Sequence, residues 1–170
     1  LLIEKDWVRA IDETRWSRLV KGVEMLHLRP NNSIADIQHI SLDRLPNVPL
    51  YVATEWLDGV TLREEIGKRQ QSGSPMPWDD AAFIISSLAD AMDYVAEFGE
   101  KYAPLPALLY PENIRIQKTD TGKNKGVLED LGLILLITDT DKWLSRIPQS
   151  RQLYFSPEET RGEHLTSDST

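Results

Sequence analysis

Two oxygen donors at the ends of a predicted hairpin are the residues best placed to do chemistry. Asn113 follows the turn residues Tyr110-Pro111-Glu112, and Asp130 opens Asp130-Leu131-Gly132. After Asn113, Ile114 and Ile116 alternate with Arg115 and Gln117, the period of a half-buried strand. Thr121-Gly122-Lys123-Asn124-Lys125-Gly126 reads as a polar turn, and Gly126-Val127-Leu128 begins a second strand. Such a hairpin carries Asn113 and Asp130 to adjacent strand ends. An amide oxygen and a carboxylate there can share an oxygen-liking cation such as Mg2+. Without the ion, the same two residues read as ordinary turn formers.

The elements that must position this pair are legible along the chain. Residues 1–5 form a short apolar stretch ending in charge at Lys5. The spacing predicts a helix over residues 12–28, with Trp16, Leu19, Val20, Val23 and Leu26 on one face and Asp12 or Thr14 as its cap. Residues 34–40 suggest a strand. Residues 49–57 read as a firmer strand, ending in the Asp58-Gly59 turn. Thr61-Leu62-Arg63-Glu64 is a capping box that starts a short helix to about Gln71, which Ser72-Gly73-Ser74-Pro75 breaks. The strongest helix is predicted over residues 78–98. Asp79 and Asp80 suit its positive end. Ile84, Leu88, Ala91 and Val95 form its apolar stripe, with Ile85 and Met92 beside it, and Gly99 is expected to stop it.

Composition bounds the function classes. The chain has 170 residues, 41% of them hydrophobic, enough for a sizeable core in one or two small domains. A formal net charge of -8 argues against binding driven by nucleic-acid phosphates. The absence of cysteine excludes a disulfide scaffold and a thiolate metal site, and fits a cytoplasmic setting. No run approaches 18 apolar residues, so no membrane insertion by this segment is expected. The chain begins at Leu1 and stops at Thr170 in mid-pattern, so we read it as a fragment. His27, His39 and His164 are too scattered for a zinc site. Neither a Gly-x-Ser-x-Gly nucleophile turn nor a Gly-x-x-x-x-Gly-Lys phosphate loop occurs.

The order of these pieces resembles the protein kinase family, in which His-Arg-Asp-Leu-x-x-x-Asn precedes a hairpin and Asp-Phe-Gly. Asn113 falls on the metal-binding Asn and Asp130-Leu131-Gly132 on Asp-Phe-Gly, so the resemblance implies Asn113 and Asp130 as metal ligands. Leu28-Arg29-Pro30-Asn31 is similar to the family's His-Pro-Asn, and Ser156-Pro157-Glu158 to its Ala-Pro-Glu anchor. Residues 50–59 resemble the hinge. The resemblance implies nucleotide contacts at Lys5, Thr54 as gatekeeper, Glu55, Leu57 and Thr61. It implies an α+β, two-lobe fold: a small lobe of antiparallel strands and one helix over 1–57, and a larger, mainly helical lobe over 58–170.

The departures set the functional expectation. Pro106, Ala107 and Leu108 stand where the family has His, Arg and Asp. Leu108 thus occupies the catalytic carboxylate position, and Tyr110 replaces a Lys. The helix-pairing Glu should fall near Val20, which is apolar. The resemblance therefore implies a pseudokinase: no catalytic residue, weak or absent binding of ATP with Mg2+, and a regulatory role through a protein partner. The alternatives are an active atypical Ser/Thr kinase, using Glu100 or a residue outside this fragment, and a kinase-fold small-molecule phosphotransferase.

Overall fold

A computed structural model describes residues 2–3, 13–42, 50–101, 109–131, 153–154, 157 and 161. Its first sheet holds β1 (Leu2–Ile3), β2 (Ile37–Ser41) and β3 (Leu50–Thr54), in the order β1-β3-β2 and antiparallel throughout. Helix α1 (Glu13–Leu28) packs against β2. The stripe read from its sequence is the face it buries: Trp16, Leu19, Val23 and Leu26 are buried, and Val20 is half-buried beside them. Burying each such side chain stabilises the fold by roughly 1.5–3 kcal/mol.

The second sheet is β4 (Val60–Thr61), β5 (Ile114–Lys118) and β6 (Asn124–Leu128), again antiparallel and in that order. Strand β4 is only two residues long, too short to show a period, and the sequence reading missed it. Thr61 ends β4 and caps helix α2 (Leu62–Ser72). The expected capping box is present: Glu64 N donates to Thr61 Oγ1 at 3.1 Å, and Thr61 N donates to Glu64 Oε2 at 2.8 Å. Gly73 closes α2 in the left-handed region at φ 64°.

Helix α3 (Trp78–Lys101) lies against β6. Ile84, Ala91 and Val95 are buried as predicted, but Ile85 is 65% exposed and stands outside the stripe. The expected stop at Gly99 does not occur, since the helix continues to Lys101. A helical glycine costs only about 0.5–1 kcal/mol against alanine, and it ends a helix only where it takes a positive φ. Ser87 is buried in the face toward the hairpin. Its hydroxyl donates to the Ile84 carbonyl and accepts the Gly126 N–H, both at 2.8 Å. Gly126 fits closely there, because an added Cβ would press on Ile84 Cγ2 at 3.1 Å and Leu88 Cγ at 3.2 Å.

The two sheets share one core. Ile34 forms a parallel bridge with Leu128. Ala35 N donates to the Leu128 carbonyl and Leu128 N to the Ser33 carbonyl, each at 2.9 Å. Buried residues from α1, both sheets and α3 form one apolar cluster that includes Leu19, Val52, Ala91 and Leu128. Tyr94 of α3 also donates to the Arg29 carbonyl at 2.6 Å, tying α3 to the loop after α1. No described helix is long and apolar enough to cross a membrane.

Candidate functional site

The hairpin brings Asn113 and Asp130 to neighbouring strand ends. A 3-10 turn over Pro111–Asn113 precedes β5, and Asn113 N donates to the Tyr110 carbonyl at 2.8 Å. Register pairs Ile114 with Leu128. Beyond that pair, Glu129 N donates to the Asn113 carbonyl at 2.8 Å. Asp130 is therefore one residue past a direct hydrogen bond to Asn113. Both side chains are half-buried, and Leu131 after them is buried.

This donor set suits a hard cation in one way. Among the described residues no three His, Asp or Glu side chains gather as a metal-binding group. Asn113 and Asp130 would supply two oxygen donors. Mg2+ is commonly held by one or two carboxylates, with water and phosphate oxygens completing its shell. The pair fits that pattern, and the ion would supply charge neutralisation of bound phosphates.

Two charged residues frame the pair, and both escaped the sequence reading as site residues. Arg115 Nε donates to Glu129 Oε1 at 2.9 Å, and Nη2 donates to Oε2 at 3.2 Å. Arg115 Nη1 also donates to the Gly59 carbonyl at 3.2 Å. The strand period does place Arg115 on the polar face. Its tie to Glu129 needs the hairpin register, in which Arg115 faces Val127 and Glu129 lies two residues beyond.

The expected hinge runs from β3 into residues 55–59. Thr54 is exposed at the end of β3, paired with Ile37. Glu55 is clasped from both sides by Asp36: Glu55 N donates to the Asp36 carbonyl at 2.8 Å, and Asp36 N donates to Glu55 Oε1 at 3.0 Å. Leu57 is buried with Ala35 and Val127, so this segment rests on β6. Trp56 between them is 87% exposed. Gly59 takes φ 114°, and a Cβ there would sit 2.2 Å from the Ile116 carbonyl oxygen. Only glycine lets the chain press this closely on β5. Thr61 pairs with Arg115 across β4 and β5, and its hydroxyl serves the α2 cap. The cap hydrogen bonds from Thr61, first backbone and then side chain, hold the exposed Glu64 carboxyl below its ordinary value, with Arg115 assisting.

Several expected positions lie outside the described residues: Lys5, Pro106 to Leu108, Gly132, Ser156 and Glu158. Val20, where a pairing Glu was sought, packs against the core, and Glu24 one turn later is exposed. Arg63 of α2 lies with Nε 3.9 Å from Glu112 Oε1 and donates weakly to Tyr154 Oη at 3.5 Å. At such distances an exposed pair contributes little to stability.

Neither a protein-family profile nor a curated protein matches the chain. Among solved structures, the kinase domain of Mycobacterium tuberculosis PknI, determined as a double mutant, is similar at a TM-score of 0.62 and 18% sequence identity. The match covers 99% of this chain and 55% of the solved one, so the chain spans about half the length of that kinase domain. At this identity the likeness carries the fold alone. The fold is α+β and protein kinase-like.

Proposed function

We propose that this chain is part of a pseudokinase: a kinase-like domain, small lobe over 1–57 and large lobe over 58–170, that has lost phosphoryl transfer and acts as a regulatory, protein-interaction module. The observation that carries this reading is Leu108. It stands five residues before Asn113, where phosphoryl transfer calls for a carboxylate to orient the attacking hydroxyl. Between Tyr94 and Thr119 the sequence has no Asp, and its only carboxylates are Glu97, Glu100 and Glu112. An active atypical kinase would need one of them to swing inward. Glu100 was the best candidate for that, but helix α3 runs through it to Lys101. This leaves Glu100 on a helical turn.

Nucleotide binding in this reading is weak and Mg2+-dependent, or absent. Asn113 and Asp130 keep two oxygen donors. Val20 offers no carboxylate to hold a phosphate-binding Lys in place. Phosphates without a paired Lys forgo a charge-assisted contact of roughly 1.5–3 kcal/mol, about one to two decades in affinity. Thermal shift with ATP, with and without Mg2+, tests this. We expect a small shift that needs the metal, or none. A large, metal-independent shift that survives Asp130→Ala removes Asp130 as a ligand and the weak-binding reading with it.

A further inference from the structure

We infer that Arg115 is a positioning residue, which locks the turn after the hinge and the Asp130 backbone into one arrangement, and that cation binding at Asn113 and Asp130 depends on it. The inference rests on the cation reading of that pair. Arg115 is the second residue of β5, and its guanidinium reaches two places at once. It holds both carboxylate oxygens of Glu129, at 2.9 and 3.2 Å, and the Gly59 carbonyl at 3.2 Å. Gly59 is pressed against β5 by its own conformation, so its carbonyl is a fixed acceptor. Glu129 is held twice, by its N–H on the Asn113 carbonyl and by its side chain on Arg115. With Leu131 buried on the other side, Asp130 lies between two anchored neighbours.

The chemistry of the tie favours a positioning role over a merely cohesive one. Arg115 and Glu129 side chains are 21% and 28% exposed, so both charges are partly withdrawn from water. Apolar side chains of similar size hold strands together without that desolvation penalty, often as well or better. A two-pronged guanidinium–carboxylate contact adds fixed orientation, which apolar packing does not. Groups that orient metal ligands from outside the first ring typically alter metal affinity about 10–100-fold when lost.

The test is a Mn2+ titration of the whole chain, followed by paramagnetic broadening of the Asn113 side-chain amide in NMR spectra. The wild type should broaden at Asn113, and Asp130→Asn should abolish the effect. The double variant Arg115→Met with Glu129→Leu keeps the net charge and the packing volume. It should need about tenfold more Mn2+ for half-broadening while its circular dichroism stays that of the wild type. Arg115→Lys keeps the charge but not the fork, so it should shift the midpoint in the same direction, and it decides the matter if the double variant does not fold. Wild-type midpoints in the folded variants overturn the positioning role and leave the cation pair standing. A wild type that shows no broadening at Asn113 overturns both.

Discussion

The same substitution at two glycines should move stability in opposite directions. Gly59 has φ 114°, and a Cβ there meets the Ile116 carbonyl oxygen at 2.2 Å, a main-chain atom that cannot swing aside. Gly59→Ala thus incurs backbone strain of about 1–3 kcal/mol. To relieve the clash the segment must lift off β5, which forfeits the Arg115 contact to the Gly59 carbonyl, a charged hydrogen bond of about 1.5–3 kcal/mol. The sum is about 2.5–6 kcal/mol, a large part of the roughly 5–15 kcal/mol that holds a domain folded. Gly67 lies inside α2 and has nothing within 4 Å of an added Cβ. Gly67→Ala should stabilise by about 1 kcal/mol through helix propensity. At about 2–4 °C per kcal/mol for a chain of this size, melting should fall by roughly 5–24 °C for Gly59→Ala and rise by about 2–4 °C for Gly67→Ala. Thermal and urea unfolding followed by circular dichroism measure both. A Gly59→Ala protein within about 1 kcal/mol of wild type would refute the claim that the hinge turn is clamped to the hairpin.

Further outcomes follow from named contacts. Ser87→Ala removes the acceptor of the buried Gly126 N–H, which should cost about 1–3 kcal/mol and speed hydrogen exchange at Gly126; unchanged exchange there would sink the contact. Thr61→Ala should cost about 1 kcal/mol as a lost helix cap, and Glu64→Gln should change the acid limb of the stability curve. Glu64 is held below its ordinary value of 4.5 mainly by Thr61, so its contribution is complete above pH 4.5 and lost as pH falls through the lower folded value. The gap between wild type and Glu64→Gln, which removes the titrating carboxyl, should therefore narrow in acid, and a gap that widens there contradicts the assignment.

Local pattern made much of the fold legible. The α1 stripe, the Thr61–Glu64 box, the strand before the hinge and the Asn113–Asp130 hairpin all repeat or pair within a short window, so periodicity and turn chemistry reach them. What stayed hidden depends on partners far away in sequence. Strand β4 exists because Val60 meets Ile116, and two residues carry no period of their own. Ser87 reads as a polar interruption of a helix until Gly126 stands opposite it. The contacts of Arg115 to Glu129 and Gly59 span 14 and 56 positions, and no local rule joins them. Gly99 misled for the reverse reason: a residue that often ends helices is also tolerated inside them at modest cost.

The central claim is that Leu108 leaves this domain without phosphoryl transfer, and transfer of radiolabelled phosphate from ATP by the intact protein tests it most directly. Loss of an essential catalytic group commonly lowers rates by several orders of magnitude. The account predicts no label on general protein substrates above background, with Mg2+ or Mn2+ present. Robust transfer that is abolished by Glu100→Gln would contradict it and identify a substitute carboxylate.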